Sequence, residues 1–380
     1  MNTRPRPRTR TVPRIATAGI ALAALACCVS TPSALAAPAV PTAPTTLVVA
    51  QGDRTSAPDS TAPDSTAPDS AALRALLARL PDDVSDGALV RMGTAGHPGA
   101  WAGSAGPVTP GAQLPVGSVT KIFTNALVLR LAAEHRIAID APVRTYLPAL
   151  IPTAYAEVTV RQLMDHTSDL PHAAGGPADP QSVVRASFAA DEAAHPGRTP
   201  APGTAQQYNG LNSFVAGLLV ERTTGRSYGD ALQRHILRPL GLRHTRMSTD
   251  PSAAWYWAEG GLVSTAADLD RFMTALLRGR LLPPAQQRHL YEVPAVPNAQ
   301  ENTCLSATAC FSAGGLMRFD AAGTTVWGKT GSGPGWASGM FATRHAERRM
   351  VYAHNPSATA TRKQQIARVV EFVNAGFPAR

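Results

Sequence analysis

The chain has 380 residues, 44% of them hydrophobic, with 35 Lys and Arg against 26 Asp and Glu and a formal net charge of +9. Five of the arginines precede residue 15; without them 30 basic residues face 26 acidic ones, so the basic balance belongs largely to the first segment. The rest has no basic helix and no basic–aromatic interleaving, which excludes nucleic acid as the partner its charge points to.

Residues 1–36 read as a secretory signal. Arg4, Arg6, Arg8, Arg10 and Arg14 form the positive end. Ile15 to Ala26 is an apolar run of about a dozen residues, below the roughly 18 that a membrane span needs. Ala34-Leu35-Ala36 is a small-x-small cleavage site, and the lack of an Arg-Arg pair favours the general export route. Cys27 and Cys28 raise a lipid-anchored alternative, although the residues before them fit a lipobox poorly. After cleavage only Cys304 and Cys310 remain, a close pair that in an exported protein reads as a disulfide closing a small loop. A metal or redox centre would want C-x-x-C or nearby histidines. The expectation is a secreted monomer with no membrane span in its mature form.

Residues 37–70 are rich in Ala, Pro, Thr and Ser, with Thr-Ala-Pro-Asp-Ser at 61–65 and 66–70 and Ser-Ala-Pro-Asp-Ser at 56–60. Such a stretch has too little apolar surface to fold and is expected to be a disordered spacer. Residues 71–380 form the folded domain. Ala71 to Leu80 reads as a helix stopped by Pro81, and Ala88 to Met92 with the glycine-rich stretch around Trp101 as a hairpin. Ile122 to Ala133 is apolar with helical spacing. Thr159 to Asp165, Asn212 to Thr223, Tyr228 to Leu237 and Ala266 to Arg278 share that period, Thr265 and Asp268 forming a capping pair for the last. Leu316 to Phe319, Thr324 to Gly331, Gly339 to Thr343 and Met350 to His354 read as short strands, and Thr361 to Ala375 as a closing helix. This order predicts an α+β fold: an antiparallel sheet flanked by helices, with a helical lobe inserted in the middle and a cleft between them.

Three short motifs carry the chemistry. Ser118 and Lys121, in Gly117-Ser118-Val119-Thr120-Lys121, lie three apart at a helix start, so both face one way. A desolvated, neutral lysine can take the serine's proton and make it a nucleophile, and the free N–H groups of a helix start point at whatever the serine attacks. Tyr208 precedes the helix near Asn212, where a phenol can relay a proton to a leaving group. Lys329-Thr330-Gly331 ends a strand and suits capture of a carboxylate: a cation, a hydroxyl and a glycine that lets a ligand backbone come close. The N–H of Ser332 could be a second oxyanion donor beside that of Ser118.

Each motif alone is a common chance match. In this order, S-x-x-K, a tyrosine and K-T-G form a set known from penicillin-recognising enzymes, with the tyrosine in place of S-D-N. The chain resembles the serine-hydrolase superfamily of D-alanyl-D-alanine carboxypeptidases, class C β-lactamases and their esterase relatives, over roughly 72–375. The likeness extends to Leu114–Lys121, Thr159–Ser168, Pro239-Leu240-Gly241-Leu242 and Gly260–Leu269. It implies a β-lactamase/transpeptidase-like fold, with Ser118 acylated, Lys121 as base, Tyr208 as proton shuttle and Lys329, Thr330 and Gly331 lining the pocket. It implies no metal or cofactor. The expected activity is D-alanyl-D-alanine carboxypeptidase on peptidoglycan peptides, with β-lactams as covalent ligands. An esterase, β-lactamase, D-amino-acid amidase or peptide cyclase on the same scaffold, or a low-turnover wall- or antibiotic-binding protein, are the alternatives.

Two departures stand out. The family's middle motif is usually Tyr-x-Asn, its asparagine bonding both the lysine and the substrate amide. Here Tyr208-Asn209-Gly210 has glycine in that place, with Asn209 and Asn212 out of register, which puts recognition of a peptide amide in question. Asp169 replaces the glycine of the His-Thr-Ser-Gly-Leu block, a position where aspartate can adopt left-handed angles. His166, in that block, reads as structural.

Overall fold

The computed structural model describes residues 70–378 apart from 176–178, 255, 300–303 and 305, so the expected signal segment and all but the last residue of the spacer lie outside it. Among the described residues nine strands form two sheets: β1 (Ser85–Thr94), β2 (His97–Ala105), β3 (Leu114–Pro115), β4 (Arg246–Met247), β5 (Leu262–Ser264), β6 (Met317–Ala321), β7 (Thr324–Gly333), β8 (Trp336–Ala342) and β9 (Arg348–Pro356). The main sheet is antiparallel throughout, in the order β2-β1-β9-β8-β7-β6.

Both of its faces are covered. In β1, Ala88, Val90 and Met92 join one apolar cluster while Leu89 joins another. Met350 and Tyr352 of β9 divide from Val351 and Ala353 in the same way. Since successive side chains point to opposite faces, a strand buried on both sides reads as a continuous apolar run. On one face lie α1 (Ala71–Leu77) and the closing helix Arg362–Gly376, through Leu73, Leu76, Val369, Phe372 and Val373. The helical lobe covers the other. Helix α1 ends three residues before the expected stop, the chain turning at Ala78 ahead of Pro81.

At the centre is α2 (Thr120–Ala133), with residues 120–129 all buried. It has no polar face toward water, and its few polar side chains tie neighbouring segments to it. Leu262 N donates to Thr120 Oγ1 (3.2 Å), and Thr124 Oγ1 donates to Ala258 O (2.7 Å). Asn125 Nδ2 donates to Met164 O and Ala313 O (3.0 and 3.1 Å). A buried polar group must find a partner, so each bond fixes a distant stretch against α2. The lobe also contains α3 (Val160–Met164), α4 (Pro180–Ala194) and α5 (Leu211–Thr224). The α4 helix, capped by Asp179 with Pro180 at its first position, was not among the expected elements. Nor was the small sheet β3-β5-β4, since strands of two or three residues carry no readable period. The helix expected over Tyr228 to Leu237 is α-helical to Leu232 and π-helical over Gln233–Leu237.

The expected cap at Thr265 forms, its side chain accepting from Asp268 N. Asp268 does not reciprocate; its carboxylate accepts from His244 N (2.8 Å) and Thr245 Oγ1 (2.9 Å). Cys304 and Cys310 are disulfide-bonded as expected. Among the described residues no helix is long and apolar enough to cross a membrane.

Candidate active site

The chain enters α2 through a single 3₁₀ turn, Gly117–Val119, and Ser118 stands on it, half-buried. The turn lies against the end of β7. Pairing with β6 stops at Gly328, so from Lys329 to Gly333 the strand has β8 on one side and the serine turn on the other. The approach is close enough to require glycine twice. A Cβ on Gly117, at φ +49, would lie 2.0 Å from Ser332 O, and one on Gly331 would lie 2.0 Å from Val116 O and 3.1 Å from Ser118 N. The backbones of Ser118 and Ser332 are therefore neighbours, the arrangement two oxyanion donors need. Ser338 of β8 adds a bond from Oγ to Val116 O (3.2 Å).

Helical spacing brings Lys121 back over the serine, with Nζ 3.2 Å from Ser118 Oγ. Lys121 is 1% exposed. Its other partners both belong to Glu259, the main-chain O at 3.1 Å and the carboxylate Oε1 at 3.2 Å. Tyr208, buried, has Lys121 Nζ 5.1 Å and Lys329 Nζ 4.7 Å from its ring centroid, within cation–π range of both. Its ring also meets His166 (4.6 Å between centroids) and Phe311 (5.1 Å). Lys329 Nζ donates to Thr330 O (2.9 Å). Ser118, Lys121, Tyr208, Lys329, Thr330, Gly331 and Ser332, picked from three stretches spanning more than 200 positions, thus come together in one place.

His166 is a support. Its Nδ1 faces Asn209 N (3.3 Å) and Asn212 Nδ2 (3.1 Å). Burial, followed by the charges of Lys121 and Lys329, holds its pKa well below the ordinary histidine value, so the ring is neutral. Asp169 takes the left-handed conformation, at φ +55, and its carboxylate accepts from Arg198 Nη2 (2.6 Å) and Ala201 N (2.8 Å). The two asparagines beside Gly210 are occupied elsewhere. Asn209 Nδ2 donates to Leu170 O and Pro171 O (2.7 and 2.8 Å), and Asn212 Oδ1 accepts from Ser168 Oγ (2.6 Å).

Two site residues escaped the sequence reading. Gln206, fully buried, takes Cys310 N and Phe311 N on Oε1 (2.8 and 3.0 Å) and gives Nε2 to Asp165 O and Phe311 O (2.7 and 2.8 Å). It pins the disulfide loop and Phe311 beneath Tyr208. Glu259 is the other; a charged residue directly before the buried stretch Gly260-Gly261-Leu262 was the available signal. Among the described residues no group of metal-ligating side chains is assembled.

A family model described as Beta-lactamase matches residues 58–374. The chain is 26% identical over 261 residues to Penicillin-binding protein 4 of Amycolatopsis lactamdurans, covering 60% of this chain and 68% of that one. It is 28% identical over 204 residues to the teichoic acid D-alanine hydrolase of Staphylococcus aureus, half the length of each. Among solved structures it resembles a D-stereospecific amidohydrolase from Streptomyces sp., with TM-score 0.67 and 28% identity over 82% of this chain and 99% of that one. The D-amino acid amidase of Ochrobactrum anthropi SV3 shares the fold, with TM-score 0.66 at 20% identity over 80% and 98% of the two chains.

Proposed function

The chain belongs to the beta-lactamase family of serine hydrolases, and we propose that within it the protein is an exported D-alanyl-D-alanine carboxypeptidase that cleaves cell-wall peptides through an acyl-enzyme on Ser118. The observation that carries this reading is the 3.2 Å contact of Ser118 Oγ with Lys121 Nζ, with Lys329 of β7 against the Tyr208 ring. In the reaction, Ser118 Oγ attacks the scissile carbonyl as its proton passes to Lys121 Nζ. The N–H groups of Ser118 and Ser332 hold the oxyanion. Tyr208 delivers a proton to the departing amine and is reprotonated by Lys121, and water then frees the acyl group. Lys329, Thr330 and Gly331 receive the carboxylate of the terminal residue, which a carboxypeptidase substrate has. The Cys304–Cys310 disulfide supports passage through an oxidising compartment. A strained lactam presents the same carbonyl, so β-lactams are covalent ligands in this reading.

Labelling with a fluorescent penicillin followed by peptide mapping tests it. Label on Ser118, lost in Ser118→Ala, is expected; unlabelled Ser118 in folded protein refutes penicillin binding and the carboxypeptidase reading with it. Export is checked by the first residue of the secreted form, expected at Ala37.

One observation favours a second reading. With Gly210 in place of asparagine, the group beside Lys121 is the carboxylate of Glu259, which accepts hydrogen bonds and donates none. That suits a substrate with a free ammonium group, such as a D-amino acid amide or ester, and the names of the amidohydrolase and the teichoic acid hydrolase agree with it. Parallel turnover of D-Ala-D-Ala peptides, D-amino acid amides, p-nitrophenyl esters and nitrocefin separates the two.

A further inference from the structure

We propose that Glu259 is a positioning residue for Lys121 and that it works through the space left at Gly210, the two positions forming one coupled pair in which a side chain at 210 displaces the Glu259 carboxylate from Lys121. This rests on the reading of Ser118 and Lys121 as nucleophile and base.

The geometry is specific. A Cβ built on Gly210 would lie 2.4 Å from Glu259 Oε1, 2.5 Å from Cδ and 2.7 Å from Oε2, so the whole carboxylate stands where a side chain at 210 would begin. Glycine here is not a demand of the backbone, since Gly210 has φ −67 and ψ −35, ordinary helical angles open to any residue. What it supplies is room. Glu259 is 16% exposed and spends Oε1 on a lysine that is itself 1% exposed. A carboxylate brought that far from water needs such a partner.

The consequence for Lys121 follows from its donors. To act as base, Lys121 first gives up one proton to solvent; the amine then has two N–H bonds and one lone pair. Glu259 O and Oε1, at 3.1 and 3.2 Å, can take the two N–H bonds, which leaves the lone pair for Ser118 Oγ at 3.2 Å. Glu259 thus clamps the amine so that it is aimed at the serine. As the serine oxygen bonds the carbonyl carbon, the proton on Oγ moves to Nζ, and the ammonium that results faces a carboxylate of opposite charge. Charge and atoms balance without a further reactant.

The test uses the mature secreted protein and the rate of acylation by a fluorescent penicillin, followed by intact mass. Wild type comes first. Failure of Ser118 to be acylated by the penicillin and to turn over a p-nitrophenyl ester or a D-amino acid amide overturns the hydrolase reading and this inference with it. Given acylation, Glu259→Ala is expected to lower the acylation rate constant about 100-fold with a nearly unchanged half-saturating concentration. Gly210→Asn alone is expected to be similarly slow, because the new side chain pushes the Glu259 carboxylate off Lys121. Combining Gly210→Asn with Glu259→Ala is expected to recover activity to within about tenfold of wild type. A wild-type rate in Glu259→Ala, or a double variant no faster than the slower single one, overturns the pairing while leaving the hydrolase reading intact. Thermal melts identify any variant that fails to fold. Glu259→Gln, which keeps the shape, then carries the test, with a loss of roughly tenfold expected and a wild-type rate refuting the proposal.

Discussion

Gly117→Ala probes how closely β7 is pressed against the serine turn. Two effects add. At φ +49 an alanine sits in the left-handed region, at about 1 kcal/mol above glycine. Its Cβ would also lie 2.0 Å from Ser332 O, 2.5 Å from Ser332 C and 2.7 Å from Ser332 N, all main-chain atoms that no rotamer change can move. To reach ordinary contact the strand end or the turn must retreat by roughly 1 Å. Such a shift separates the two N–H groups meant for the oxyanion, and a misplacement of that size is worth about 10²-fold in rate, or roughly 2.7 kcal/mol of barrier. The Ser118–Lys121 contact is internal to the turn and α2 and should survive. The expected result is a folded enzyme, slightly less stable, with kcat/KM for a p-nitrophenyl ester down about 100-fold and most of the loss in kcat. Stopped-flow acylation with a thermal melt on the same sample measures both. A variant that melts like wild type and acylates within threefold of it would refute the close-packed oxyanion site.

Asp270→Ala should destabilise the domain by about 3–5 kcal/mol, because Arg349 Nε lies 2.7 Å from Asp270 Oδ1, the two side chains are 2% and 3% exposed, and the guanidinium would stay buried without its counter-charge; urea unfolding at pH 7 checks this. His354 is driven down to about 4 by burial, with the Arg368 charge adding to it. Between pH 6.5 and 4 the unfolded chain binds a proton there that the folded one does not, so this contribution is complete above pH 6.5 and is lost as pH falls through that window. His166 acts in the same direction; Asp165, pushed up to about 6 by burial, acts in the opposite one between pH 3.8 and 6. His354→Gln should flatten the stability curve near pH 5 by about 1.4 kcal/mol per pH unit, and an unchanged slope in urea titrations at pH 5 and 6 would count against it. Reducing Cys304–Cys310 should cost about 2 kcal/mol for so short a loop, seen as a lower urea midpoint with dithiothreitol.

Much of this was readable in the chain because the chemistry depends on short spacings. Ser118 and Lys121 are one helical turn apart, so their meeting follows from the local period alone. The position of Lys329 could be read from the end of an apolar strand. Asp169 could be placed at left-handed angles because few side chains tolerate them. What could not be read depends on contacts between distant stretches. Gly210 looked like the loss of a side chain, and nothing within ten residues says that Glu259, 49 positions later, fills the space. Gln206 satisfies four main-chain groups from two other segments, a task with no local signature. The small sheet escaped because its strands are shorter than the period by which strands are recognised. The α4 helix did carry a start signal, Asp179 with Pro180, and its surface-facing alanines diluted the apolar stripe that would have confirmed it.

The small sheet bears on how such a site can change. Strand β3 leads into the serine turn and β5 follows Glu259, and the two pair directly, Leu114 with Ser264 and Pro115 with Val263. Everything between α2 and β5, the whole lobe with Tyr208, Gly210 and Glu259, is therefore bounded at its two ends by one clasp. The main sheet keeps Lys329, the residue proposed to receive the substrate carboxylate. A stretch bounded in this way behaves as an exchangeable cassette: recombination at its two closely spaced ends would carry the acyl-side preference from one scaffold to another as a unit, with the 210–259 pairing intact, whereas substitutions drifting in singly must pass through the clashing or the emptied combination.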